Sequence, residues 1–175
     1  MGTQQRISTM KKFNDTVLAV TIAIIDFLYR DLPIQRFWVL ETIARAPYFA
    51  FVSVLHLKES LGLRDLSHYY LMKEHFAQTL NETEHLIEME HRGAADRWHD
   101  RFVGYHLVLI YYWILVGYYS VAPKSAYHLN AGIEFHATET YLDYFWDHPE
   151  DTRIGEIAVD EMNHYIELTQ AMELI

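Results

Sequence analysis

Apolar residues recur along this chain at intervals of three and four, and nowhere do they alternate one by one for long. That period belongs to helices, each with one face turned to a core, and not to strands. The 7 glycines and 4 prolines stand between the periodic stretches and punctuate them. The pattern predicts a first helix over 14–29, with 17–25 apolar almost all round, and a polar arm over 1–13 ahead of it. Pro33 resets the chain, and a second helix over 34–61 stops at Gly62. A third over 66–91 stops at Gly93, a fourth over 96–121 ends before Pro123, and a fifth covers 124–146. The His148-Pro149-Glu150-Asp151 loop opens a sixth, which runs from 152 to the C-terminus. The expected fold is all-α: one domain over 1–175, without a linker or a low-complexity tract.

The fourth element departs from ordinary amphipathic patterning. Residues 102–123 contain no Asp, Glu, Lys or Arg. Length alone would let this segment cross a bilayer. It is, however, poor in Leu and Ile for a spanning helix, and rich in residues that prefer the headgroup layer: Tyr105, Tyr111, Tyr112, Trp113, Tyr118 and Tyr119. His106 also sits badly at a bilayer centre. A helix lying in the interface of one leaflet fits these residues better. The first helix could share that surface, as could the outer face of the second around Tyr48, Phe49, Phe51 and Val52, with Arg36, Arg45, Arg97 and Arg101 near headgroups. The competing expectation is that these faces meet a second subunit or the core.

Composition narrows the chemistry. Hydrophobic residues make up 51% and aromatic residues 15%, while the formal net charge is −10. Nucleic acid held on a basic surface is therefore not expected. The absence of cysteine excludes disulfides, thiolate metal sites and iron–sulfur clusters. A bound metal would have to be held by His and carboxylate, a donor set that suits iron or manganese. No signal core or transit peptide is evident at the N-terminus, so we expect a bacterial or phage product or a processed organellar protein.

Two Glu-x-x-His pairs, Glu82/His85 and Glu161/His164, lie far apart, each preceded by a glutamate in an apolar setting, Glu41 and Glu134. Residues i and i+3 share a helix face. Single glutamates from two helices and Glu-x-x-His from two more make up the ligand set of a di-iron or di-manganese site in a four-helix bundle. Local rivals remain at this point. Glu88/His91 repeats the spacing of Glu82/His85, Glu139 competes with Glu134, and Glu41 could instead pair with Arg45 one turn on. Tyr141 follows Glu134 by seven residues on nearly the same face, where it could pass an electron or a proton.

Longer stretches carry a resemblance. YRDLPIQRFWVLETIARAPYFAFVSVLHL at 29–57, HFAQTLNETEHL at 75–86, DRF at 100–102, SAYH at 125–128, EFHATETY at 134–141 and DEMNH at 160–164 resemble the plastid terminal oxidase (plastoquinol terminal oxidase) branch of the alternative oxidases. The resemblance covers about residues 25–170. It implies a ferritin-like four-helix bundle with two additional membrane-interface helices. It also implies a non-haem di-iron quinol oxidase that reduces O2 to water without pumping protons. It selects Glu82/His85 over Glu88/His91 and Glu134 over Glu139, so the ligands of two Fe ions become Glu41, Glu82, His85, Glu134, Glu161 and His164. Tyr141 falls on the family's tyrosine beside the irons. Arg36, Leu40 and Thr140 fall on its quinol pocket. Asn81 and Asp160 fall where hydrogen bonds orient the ligands. The implied partners are a quinol (plastoquinol for this branch), O2, one leaflet of a membrane and a second copy of the chain, and no nucleic acid. The short span between Tyr141 and Glu161 fits a compact cyanobacterial or cyanophage form on a thylakoid or cytoplasmic membrane. The alternatives carried forward are a soluble ferritin-like ferroxidase and another di-iron oxygenase.

Overall fold

The computed structural model describes the backbone of residues 3–175 and the side chains of 9–98 and 100–175. Six helices account for nearly all of it: α1 (Thr3–Leu28), α2 (Pro33–Ser60), α3 (His68–His91), α4 (Trp98–Val121), α5 (Pro123–Asp147) and α6 (Thr152–Leu174). Five of the six start and stop within two residues of the expected bounds. Gly62 and Gly93 end α2 and α3 at φ +73° and +85°, a conformation that glycine adopts without penalty. The bonds at the first of these ends, Leu63 N–H to the Lys58 carbonyl (2.8 Å) and Gly62 N–H to the Glu59 carbonyl (3.0 Å), form a Schellman cap. Pro33 and Pro123 sit in the first turns of α2 and α5, where no N–H is needed. Pro47 lies inside α2, which runs on through it.

The first helix corrects the expectation. It begins at Thr3, not Asn14, so residues 3–13 of the expected arm are helical; Met1 and Gly2 lie outside the described residues. No glycine or proline interrupts residues 3–13. Asn14, at 1% exposure, pins the helix in mid-course. Its amide donates to the Ser125 carbonyl (2.7 Å), and its side-chain oxygen accepts from the Tyr118 hydroxyl (2.8 Å).

α2, α3, α5 and α6 form the bundle. α2 packs along α3 and α5 along α6, and the two pairs meet through α2–α5 and α3–α6. α4 lies against α2 and α5, and α1 mainly against α5. Two apolar clusters fill the bundle. One contains Tyr48, Phe51, Leu71, Tyr127, Ala131 and Leu168. The other contains Phe37, Trp38, Leu86, Met89, Tyr141, Ile154 and Ile157. On every bundle helix the glutamate singled out above lies between a residue of one cluster and a residue of the other. Antiparallel neighbours thus place the four glutamates at one level, sealed by apolar side chains on either side.

The outer helices are apolar where nothing covers them. On α1, Phe13, Val17, Val20, Ile24 and Phe27 are exposed at spacings of three and four, so they form one stripe. On α4, Val103, Leu107, Ile110 and Ile114 form another, flanked by Phe102, Leu109 and Trp113. By length and composition both α2 and the 100–121 stretch of α4 could cross a membrane, but 67% of the apolar window in α2 is buried within the protein, against 11% in α4. α2 is thus the core helix of the bundle, and α4 is an outward-facing one.

Candidate metal centre

Glu41, Glu82, Glu134 and Glu161 are almost wholly buried, as are His85 and His164. Their ligand-type atoms form two overlapping groups, each with all atoms within 4.8 Å of one another. One group is Glu41, Glu82, His85 and Glu161; the other is Glu82, Glu134, Glu161 and His164. The two glutamates of the Glu-x-x-His pairs belong to both groups. Glu41 and Glu134, the single glutamates, each belong to one. The six residues expected from the sequence therefore meet, in two donor groups that could each hold an ion.

The two halves are related by exchange. His85 on α3 reaches Glu161 on α6 (Nδ1 to Oε1, 2.8 Å), and His164 on α6 reaches Glu82 on α3 (Nδ1 to Oε1, 2.8 Å). The Tyr141 hydroxyl on α5 donates to Glu41 on α2. The Tyr48 hydroxyl on α2 donates to Glu134 on α5 (2.9 Å). Each tyrosine follows its own helix's glutamate by seven residues and bonds the other helix's glutamate. Tyr141 was expected beside the centre, whereas Tyr48, expected with Phe51 on the outer face of α2, is wholly buried in the bundle core, as is Phe51. The signal that would have found Tyr48 is the same seven-residue step, from Glu41 instead of Glu134.

Burial of so much charge needs an answer, since each unpaired ion in such a site costs several kcal/mol. Glu82 and Glu134 are pushed well above the ordinary carboxylate range, first by burial and then by the charges of neighbouring glutamates. Burial pushes Glu161 the same way, but the His164 and His85 imidazoles beside it outweigh burial and hold Glu161 low. Burial disfavours the His85 cation, yet Glu161 and Glu41 together push its pKa up to about 12. Several atoms make no aligned hydrogen bond: Glu41 Oε2, both oxygens of Glu82, Glu134 Oε2, Glu161 Oε2 and His164 Nδ1, whose 2.8 Å approach to Glu82 is a charge contact only. Buried polar atoms are rarely left so. All six belong to residues of the two groups, and oxygen and imidazole donors with carboxylates in excess suit hard or borderline divalent cations. The residues fit a pair of such ions.

The surroundings hold the donors in place. Asp160 lies 3.2 Å from His85 Nε2 and accepts its proton, which fixes the ring with Nδ1 turned to the centre. Asn81 reaches the same Asp160 oxygen at 3.5 Å. Arg36 sits at the edge, with one guanidinium nitrogen 3.1 Å from the Thr140 hydroxyl and 3.0 Å from Asp26 of α1. Leu40 is buried one turn along from Arg36. The Arg36 contact to Asp26 was not foreseen, because nothing in the spacing of α1 singles out that carboxylate. The local rivals lie elsewhere: Glu139 and His91 are exposed, and Glu88 bonds Arg92 (2.7 Å). Arg45 lies over the Phe49 ring at 5.8 Å, on the outer side of α2.

Between α1, α2, α4 and α5 lie two adjoining apolar clefts of about 370 and 230 Å³. Thr21, Ile43, Leu107 and Val108 line both. Ile43 stands one turn from Leu40 on α2.

Comparison with known proteins agrees with this geometry. The alternative oxidase family profile matches residues 4–169. The chain is 48% identical over 120 residues to ubiquinol oxidase 4, chloroplastic/chromoplastic, of Arabidopsis thaliana; the match covers 69% of this chain and 34% of that protein. The chain thus spans about a third of the length of the curated relative it matches. No solved structure gives a significant match. A bundle with two Glu-x-x-His helices and two single-glutamate helices around one buried centre, matched to the family over nearly its whole length, belongs to the alternative oxidase family, on the side of its plastid terminal oxidase branch.

Proposed function

We propose that the protein is a membrane-associated di-iron quinol oxidase. The observation that carries this reading is the pair of overlapping four-donor groups sharing Glu82 and Glu161. Family membership and the uncovered apolar faces of α1 and α4 support it. In the balanced reaction two quinols and one O2 give two quinones and two waters. The four quinol protons end in water, so no net proton need cross the membrane.

Glu41 and His85 would hold one iron, Glu134 and His164 the other, with Glu82 and Glu161 between them. Iron, when bound, supplies the one-electron chemistry that O2 reduction needs. The protein supplies position and exclusion of water. The Arg36 guanidinium offers a donor to a quinol oxygen, the Thr140 hydroxyl accepts from Arg36 and positions it, and Leu40 lies one turn along. The apolar clefts under α1 and α4 suit an isoprenoid tail arriving from one leaflet, and plastoquinol is the quinol that the plastid-type resemblance favours. Tyr141 holds a proton on the Glu41 carboxylate edge, and Asp160 orients the His85 ring through Nε2. The apolar clusters on both sides keep bulk water out. A second copy of the chain completes the proposed assembly.

Oxygen uptake by iron-loaded protein in detergent with a short-chain quinol tests the reading. Uptake should require quinol, consume two quinols per O2 and resist cyanide. The Arg36→Ala variant should keep its iron and lose about 10- to 100-fold in kcat/KM, the worth of a charged hydrogen bond. Iron oxidation without any quinol requirement would favour a ferritin-like ferroxidase instead.

A further inference from the structure

A second polar network runs through the bundle, away from the candidate centre. It comprises Glu167, Gln78, His75, Tyr127 and Tyr119, joined in series. The Gln78 amide nitrogen donates to Glu167 Oε2 (2.8 Å), and Gln78 Oε1 meets His75 Nδ1 (2.7 Å). His75 Nε2 meets the Tyr127 hydroxyl (2.7 Å), which meets the Tyr119 hydroxyl (2.7 Å). Gln78, His75, Tyr127 and Tyr119 are all buried, and Glu167 reaches the surface.

The position of every hydrogen in this series follows from its outer end. The Glu167 carboxylate can only accept, so Gln78 turns its NH2 outward and its carbonyl oxygen inward. That oxygen can only accept, so His75 carries its proton on Nδ1. A neutral imidazole protonated on Nδ1 presents a bare lone pair at Nε2. Tyr127 therefore donates to His75, and Tyr119 donates to the Tyr127 oxygen. Burial pulls the His75 pKa down to about 4 against the Gln78 hydrogen bond, so the ring stays neutral at ordinary pH. Burial raises Tyr127 above its ordinary value, so the phenol keeps its proton at rest.

A phenol is hard to oxidise unless its proton can leave in the same event. Tyr127 has a dedicated, oriented base at 2.7 Å, and the other face of that base connects through Gln78 to a carboxylate that stabilises positive charge. The pair also adjoins the centre. The His75 ring lies 6.0 Å from the ring of Tyr48, whose hydroxyl bonds Glu134, and Phe51 packs against both His75 (5.1 Å) and Tyr127 (4.7 Å).

We propose that Tyr127 is a redox-active tyrosine with His75 as its proton acceptor, placed to give up one electron toward the candidate metal centre through Tyr48. In the step, the Tyr127 O–H bond breaks, its proton forms an N–H bond at His75 Nε2, and one electron leaves. The products are a neutral tyrosyl radical and an imidazolium. The electron goes to a one-electron oxidant derived from O2, whose presence rests on the function proposed above. One electron from a hydroquinone and return of the proton restore the phenol.

The test needs neither quinol nor iron, so its failure is separable from failure of the oxidase reading. In zinc-loaded protein, nitrogen–proton correlation NMR at neutral pH should find His75 neutral and protonated on Nδ1; the opposite tautomer, or a cation, overturns the proposal. Flash oxidation of the same protein with a photogenerated ruthenium(III) tris-bipyridine should give a long-lived tyrosyl EPR signal coupled to one exchangeable proton. That signal should be lost in Tyr127→Phe and in His75→Phe, and kept in Tyr165→Phe. Its persistence in Tyr127→Phe or His75→Phe overturns the assignment. The NMR result, obtained without substitution in the network, decides the matter if either variant fails to fold.

Discussion

Tyr48 and Tyr141 do the same thing from opposite sides. Each hydroxyl satisfies one oxygen of a single glutamate, and the other oxygen, Oε2 of Glu134 or of Glu41, is left facing the centre. Removing the Tyr48 hydroxyl leaves a buried carboxylate oxygen unpaired, which costs about 1–3 kcal/mol. Tyr48→Phe should therefore lower the unfolding free energy by about that amount and weaken metal binding, as read by denaturant titration and competition with a chelator. Equal stability and affinity in the variant would show that the hydroxyl does not hold Glu134. At this scale the sequence was legible where spacing carries the chemistry. Glu82/His85 and Glu161/His164 stand out by the i, i+3 rule, and Tyr141 by its seven-residue step from Glu134. Tyr48 obeys the same step from Glu41 but was assigned to the outer face of α2, because apolar and aromatic residues surround that helix and hide which side is buried. Asp26 was illegible, because a contact between α1 and α2 side chains has no local signature.

Five of the helices could be read from the chain because their ends are chemically marked, by Gly62, Gly93, Pro33, Pro123 and the loop before Thr152. α1 lacks such a mark upstream of Asn14, and its start was misplaced by 11 residues. Helix ends also carry the joints between elements. Arg92, just past the end of α3, forms a two-pronged pair with Asp151, just before α6, one prong at 3.0 Å. The Arg92 guanidinium holds the Asp151 carboxyl below its ordinary value, against a smaller opposing effect of burial. A lowered folded-state pKa means that the unfolded chain takes up the proton first. The stabilisation is then fully present above about pH 4 and is lost as pH falls through the lower folded value. Urea unfolding at pH 6 and pH 3 should show a larger loss for wild type than for Asp151→Asn, by up to about 1 kcal/mol for a partly exposed pair. Parallel losses in both proteins would place the acid sensitivity elsewhere.

The whole molecule has two characters. Its bundle encloses a charged centre between apolar clusters, and α1 and α4 leave apolar stripes uncovered on the outside. The tyrosine- and tryptophan-rich composition of α4 made that second character visible beforehand, although composition alone could not say that α2, also apolar enough to cross a membrane, would be buried. If the stripes lie in one leaflet, Ile24→Asp and Ile110→Asp should each weaken binding to lipid vesicles by about tenfold or more, the worth of one buried aliphatic side chain. Both variants should keep their metal, because neither residue touches the centre. Unchanged vesicle flotation would assign the stripes to a contact between subunits.

The sharing of Glu82 and Glu161 between two ion positions is the claim on which the rest depends. Iron analysis with Mössbauer spectroscopy on wild type, Glu82→Ala and Glu41→Ala tests it most directly. Wild type should hold two irons per chain, coupled to each other. Glu82→Ala should lose both ions or their coupling, whereas Glu41→Ala should lose chiefly one. A single uncoupled iron in wild type, or equal effects of the two substitutions, would contradict a centre built on shared carboxylates.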